Sequence, residues 1–156
     1  MVPLTATAAS ASDTDTYLLT NENSRKCLSI GWGDPTPGIP AIQWDCELNS
    51  DYNTLPRQRW TWAPVPGISS TYTLKNEATG KCLAIGGASH AKGKEAIQWT
   101  CEPGNTEQQW IYDSSNRLWN NESRLCLAIP DSSVANGTAA IQWTCNDNAD
   151  QKWDGP

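Results

Sequence analysis

Apolar positions in this chain recur in short alternating runs, and the same runs return three times. The first is a Leu-x-Asn run: Tyr17-Leu18-Leu19-Thr20-Asn21, Tyr72-Thr73-Leu74-Lys75-Asn76 and Arg117-Leu118-Trp119-Asn120. Each predicts a short strand entering a polar turn, because Asn caps its own backbone and tolerates left-handed geometry. Six residues after each Asn comes Cys-Leu-x-Ile: Cys27-Leu28-Ser29-Ile30, Cys82-Leu83-Ala84-Ile85 and Cys126-Leu127-Ala128-Ile129. Period-two alternation makes this a four-residue strand with Leu and Ile on one face. A polar loop follows with glycine at one fixed place (Gly38, Gly93, Gly137), and Asn136-Gly137 is a strong turn signal. The third strand is Ala41-Ile42-Gln43-Trp44-Asp45-Cys46, repeated as Ala96-Ile97-Gln98-Trp99-Thr100-Cys101 and Ala140-Ile141-Gln142-Trp143-Thr144-Cys145. Alternation puts Ile42 and Trp44 on one face and Gln43 on the other. Gln-x-Trp then closes each unit with a fourth short strand: Gln58-Arg59-Trp60, Gln108-Gln109-Trp110 and Gln151-Lys152-Trp153.

Four strands in three units give about twelve, and no segment keeps helical periodicity over ten residues. A threefold repeat of this period decides the architecture ahead of any local propensity. The expectation is one all-β domain over 15–156, with repeats at about 16–62, 71–112 and 116–154. A closed arrangement buries three like apolar faces without leaving sheet edges. The longer span from Cys46 to Trp60 marks Asn49–Arg57 as an insertion, expected to lie over Trp44. Ala63–Ser70 reads as the link between repeats one and two. Residues 1–14 read as a disordered, frayed tail. Within them Ala8-Ala9-Ser10-Ala11 resembles the small-residue end of a secretory signal, without its basic start and apolar run.

Composition narrows the function classes. There are nine tryptophans and no phenylalanine, so Trp, Leu and Ile must supply both the core and any binding surface. The net charge of −6, with no basic stripe, argues against nucleic acid and anionic membrane as partners. Nothing approaches a transmembrane helix in length. In each repeat two cysteines stand nineteen positions apart, which suggests an oxidising compartment. Six cysteines allow 15 connectivities; repeat symmetry favours Cys27–Cys46, Cys82–Cys101 and Cys126–Cys145. A zinc site is disfavoured, since no C-x-x-C is present and His90 is the only histidine. His90 itself reads as a solvated loop residue. With one histidine and bonded cysteines, no nucleophile–base pair can be assembled, and no carboxylate pair stands out, so no enzyme and no cofactor are expected.

These motifs together make residues 16–154 resemble the ricin B-type lectin domain, also seen as the family-13 carbohydrate-binding modules. The resemblance implies a β-trefoil, a six-stranded barrel capped by three hairpins, with one potential sugar pocket per repeat. It implies that Trp60, Trp110 and Trp153 are structural. Family pockets use an acidic acceptor two residues after the first cysteine, an aromatic two residues before the second, and a polar residue just before Gln-x-Trp. The aromatic is kept as Trp44, Trp99 and Trp143. The acceptor is replaced by Ser29, Ala84 and Ala128, and the polar residue becomes Arg57, Glu107 and Asp150. A carboxylate accepting two hydroxyls makes charge-assisted bonds that alanine cannot. Glu107 and Asp150 are therefore the candidate displaced acceptors, and repeat one, with Arg57, is expected to bind most weakly.

Two readings of Trp44, Trp99 and Trp143 stand side by side. Each indole either packs over the neighbouring disulfide and loop or serves as a sugar platform. The expected protein is a secreted monomer that binds glycan weakly and multivalently through Trp platforms. The alternative is a docking or inhibitor module of a secreted assembly with a protein partner, since fold does not dictate function.

Overall fold

The computed structural model describes residues 15–156; the tail over 1–14 lies outside the described residues. Among the described residues there are thirteen strands and six single-turn 3-10 helices. Repeat one holds β1 (Asp15–Leu18), β2 (Thr20–Asn21), β3 (Cys27–Ile30), β4 (Ala41–Trp44) and β5 (Arg59–Pro64). Repeat two holds β6 (Thr71–Asn76), β7 (Cys82–Ile85), β8 (Ala96–Trp99) and β9 (Trp110–Tyr112). Repeat three holds β10 (Leu118–Asn120), β11 (Cys126–Ala128), β12 (Ile141–Trp143) and β13 (Trp153–Asp154). The extra strand arises because the first strand of repeat one bends at Leu19. Before the bend it pairs with β5, and after it with β13 and β3. The all-β, threefold arrangement is a β-trefoil.

Alternation explains the core. Leu19, Leu74 and Leu118 form one threefold set, Leu28, Leu83 and Leu127 a second, and Ile30, Ile85 and Ile129 a third, all fully buried. Trp60, Trp110 and Trp153 are equally buried, and each indole Nε1 donates to a core-strand carbonyl: Leu28 O at 3.0 Å, Leu83 O at 2.9 Å and Leu127 O at 3.1 Å. Buried tryptophans usually find a partner for their indole N–H in this way. The partner glutamines do not lie on strands. Gln58, Gln108 and Gln151 each end a 3-10 turn (Pro56–Gln58, Thr106–Gln108, Ala149–Gln151), and the strand starts just beyond. Their amides lace that turn to the residues flanking the second cysteine. Gln108, for example, accepts from Glu102 N and donates to Thr100 O, both at 2.9 Å.

One further expectation shifts. Ala63 and Pro64 are part of β5 and pair with Thr73 and Tyr72, so the link between repeats one and two shrinks to residues 65–70. The threefold symmetry is broken where Trp62 makes edge-on contacts with Tyr17, Tyr72 and Tyr112. A Cβ on Gly155 would lie only 3.2 Å from this indole, so a residue without a side chain lets the ring fit. This packing has no threefold counterpart.

All three disulfides pair within repeats: Cys27–Cys46, Cys82–Cys101 and Cys126–Cys145. Each ties the start of a Cys-Leu-x-Ile strand to the residue two beyond its Ala-Ile-Gln-Trp partner. The hairpins so formed meet around the threefold axis through single bridges, Pro40↔Ile97, Ile42↔Ala139 and Glu95↔Ile141.

The turn from β9 to β10 is held by a carboxylate. Asp113 accepts from the Ser115 and Arg117 backbone N–H groups, from the Trp119 indole at 2.8 Å and from Arg117 Nε at 2.9 Å. Burial alone pushes this carboxyl up, but the hydrogen bonds outweigh it and hold Asp113 below its ordinary 3.8. A depressed native pKa adds stability that is fully present above the unfolded value and lost as pH falls through the folded one. The stability gap between wild type and Asp113→Asn is therefore expected to be constant above about pH 5 and to close below the ordinary carboxylate value. Urea titrations at a series of pH values read it, and a gap that widens on acidification would contradict the assignment.

Candidate carbohydrate clefts

Each repeat carries one cleft, at the same place, built by the same elements. Its floor is the residue after Leu in Cys-Leu-x-Ile (Ser29, Ala84, Ala128), and its side wall is Ile42, Ile97 or Ile141 with Trp44, Trp99 or Trp143. The 3-10 turn before Gln-x-Trp supplies the opposite wall, bringing in Arg57, Glu107 and Asp150. The clefts enclose about 100, 110 and 380 Å³ in repeats one, two and three, so the first two are shallow and only the third reaches the range of small-ligand pockets. All five residues singled out in the sequence, Trp44, Trp99, Glu107, Trp143 and Asp150, thus line these clefts.

The three tryptophans are part exposed and part packed. Trp44, Trp99 and Trp143 are 36%, 43% and 44% exposed. At the same time each ring edge rests on the loop glycine of another repeat. A Cβ added to Gly137, Gly38 or Gly93 would sit 3.8, 3.7 or 3.9 Å from Cζ3 of Trp44, Trp99 or Trp143. Those glycines have φ of +87°, +92° and +85°, a region that L side chains rarely adopt. The loop is held against the ring by the glutamine next to the tryptophan. Gln98 Nε2 donates to Asp34 O and Thr36 O, Gln142 Nε2 to Ser89 O and Ala91 O, and Gln43 Nε2 to Ser133 O and Ala135 O. The links run cyclically, from repeat two to one, three to two and one to three. Gln43, Gln98 and Gln142 therefore hold the loop on which each indole rests, a role not apparent from the sequence.

The polar walls differ from repeat to repeat. In repeat two the Glu107 carboxylate is contacted by Asn105 Nδ2 at 3.4 Å, and Asn105 also bonds Glu102. In repeat three Asp150 is nearly buried and accepts from Ser132 Oγ at 3.2 Å. In repeat one Arg57 is paired with Glu47, and Glu47 also accepts from Trp44 Nε1 at 3.2 Å. Glu47 thus brings a carboxylate into the cleft that has only a donor before Gln-x-Trp. The insertion leaves Trp44 more than a third exposed, so it does not close over that ring.

One further position lines all three clefts. Trp32, Gly87 and Asp131 are equivalent residues in the short turns Gly31–Gly33, Gly86–Ala88 and Pro130–Ser132, with φ of 57°, 64° and 54°. Glycine is at home there, whereas a bulky residue with positive φ is an outlier, costing on the order of 1 kcal/mol. A column-by-column comparison of the three repeats exposes this variable position in the sequence. Among the described residues, no group of three His, Cys, Asp or Glu side chains is arranged to hold a metal.

The profile of the ricin-type beta-trefoil lectin domain matches residues 15–153. Among solved structures, the designed threefold-symmetric protein ThreeFoil is 25% identical with a TM-score of 0.78, covering 90% of this chain and 96% of its own. The C-half of the earthworm R-type lectin, in complex with GalNAc, is 18% identical with a TM-score of 0.70, over 90% of this chain and 96% of that one. An exo-beta-1,3-galactanase from Clostridium thermocellum is 22% identical with a TM-score of 0.79, over 92% of this chain but 30% of the enzyme. The last two likenesses are of fold. No curated protein matches the sequence.

Proposed function

The chain belongs to the ricin-type beta-trefoil lectin domain family, and on that premise we propose that it is a secreted, non-catalytic module that binds glycans weakly through more than one cleft. The observation that carries this reading is the threefold recurrence of a part-exposed indole facing a polar wall. An indole face attracts the polarised C–H face of a pyranose, and Glu107 and Asp150 can accept its hydroxyls. Three disulfides are consistent with an extracellular protein.

The floor residues limit the strength. Ala84 and Ala128 offer no hydrogen bond where the family places a carboxylate, so the clefts of repeats two and three each keep one ring and one or two polar contacts. At roughly 1 kcal/mol for a neutral bond and up to about 3 for a charged one, a single cleft should bind near millimolar. Retention on a polysaccharide then depends on two clefts engaging together.

Titration against a glycan panel tests this with Trp99→Ala, Trp143→Ala and the double variant, with and without a chelator. Each single change is expected to weaken polysaccharide retention, the double change to lower it by at least about tenfold, and the chelator to do nothing. Binding that survives the double change at full strength would remove the platform role. A wild-type protein that binds no glycan yet captures a protein partner would instead favour the docking-module alternative.

A further inference from the structure

Repeat one differs from the others in a way that bears on which sugar it takes. Trp32 is 92% exposed, so it contributes nothing to the core, yet it lines the same cleft as Trp44. The turn that carries it adopts left-handed backbone at this residue, as its counterparts do at Gly87 and Asp131. The Arg57 guanidinium lies over the indole, 6.0 Å from its ring centroid. Arg57 in turn pairs with Glu47, which bonds the Trp44 indole N–H. Trp32, Arg57, Glu47 and Trp44 are therefore linked around the cleft by one chain of contacts, in which the two charges compensate each other. Ser29, Gly31 and Ile42 complete the lining and add only one hydroxyl.

We propose that the repeat-one cleft takes a neutral pyranose whose ring substituents are all equatorial, gripped by Trp32 and Trp44, and that the position occupied by Trp32, Gly87 and Asp131 sets the preference of each cleft. The proposal rests on the carbohydrate reading above. An all-equatorial pyranose presents axial C–H bonds on both faces and so can use two aromatic walls. A sugar with an axial hydroxyl has one face interrupted by a polar group and gains from a single wall only. Gly87 leaves repeat two with Trp99 alone, and Asp131 gives repeat three a carboxylate in place of a second ring. The compensated Arg57–Glu47 pair offers one donor group and one acceptor to a diol, while giving a charged sugar no net attraction.

Methyl β-glucoside and methyl β-galactoside differ only in whether the C4 hydroxyl is equatorial or axial, which makes them the probes. Two-dimensional NMR of the indole N–H groups, with Trp44, Trp99 and Trp143 assigned by single replacement, reads each cleft separately. In the wild type the Trp44 signal is expected to titrate with the glucoside about fivefold more tightly than with the galactoside, the worth of one aromatic contact. Trp32→Gly installs the residue that repeat two carries at the same φ, so the backbone suits it. This variant is expected to erase the preference at Trp44 and leave the Trp99 and Trp143 titrations unchanged. A preference that persists in Trp32→Gly, or is missing in the wild type while Trp99 and Trp143 respond to sugar, overturns the proposal and leaves the lectin reading standing. Failure of all three indoles to respond to any sugar overturns both.

Discussion

Trp110→Ala is expected to destabilise the domain by about 3–5 kcal/mol, the usual cost of emptying a buried aromatic site. The ring is fully buried, and its loss also leaves the Leu83 carbonyl without the indole N–H that bonds it at 2.9 Å. Against a total stability of about 5–15 kcal/mol, the variant should sit at or near the edge of folding. Trp99→Ala provides the contrast within the same repeat. Its ring is 43% exposed and rests on one glycine, so its removal should cost about 1 kcal/mol or less. Urea denaturation followed by circular dichroism compares the two. Equal costs would mean that the division into core and platform tryptophans is mistaken, and with it the assignment of the clefts.

Loss of the disulfides should be the other large effect. Each closes a loop with a sequence separation of 19, which the chain-entropy model rates at roughly 3 kcal/mol. Replacing both Cys82 and Cys101 by alanine should therefore lower stability by about that amount. The three bridges lie in separate repeats, so their effects should be close to additive. Full reduction would then remove about 9 kcal/mol, comparable with the whole stability of an ordinary domain. The oxidised protein should unfold cooperatively at a denaturant midpoint well above that of the double-alanine variant, and the reduced protein should be largely unfolded without denaturant. A reduced protein as stable as the oxidised one would show that packing alone holds the trefoil. Non-reducing peptide maps provide the companion check, because a cross-repeat pair would contradict the pairing on which these numbers rest.

Much of this protein is determined locally and is therefore legible along the chain. Leu28, Leu83 and Leu127 alternate with polar or small neighbours at the strand period, and such a pattern turns the leucines to one face of each strand. Repetition of that pattern at equal cysteine spacing specifies the threefold plan, the pairing of Cys27 with Cys46 and its counterparts, and the columns in which Trp44, Trp99 and Trp143 stand. The sequence also makes the missing acceptors plain, since Ser29, Ala84 and Ala128 fall where the family carries a carboxylate.

Only the tertiary structure decides relations between repeats, because these join residues far apart in the chain through contacts without a local pattern. That Gln98 holds the loop at Asp34 and Thr36, while Gly38 of that loop supports Trp99, depends on how the hairpins meet around the axis. The bend at Leu19 follows from two different pairing partners, β5 and β13, competing for one strand. The fit of Trp62 against Gly155 is likewise a matter of volume, not of hydrophobic period. Trp32 and Glu47 are visible in the sequence as letters, but alternation and spacing say nothing about which cleft they enter. Side-chain direction in a turn with positive φ is set by backbone geometry, and that geometry places an indole, a bare backbone and a carboxylate at the lips of three otherwise similar clefts.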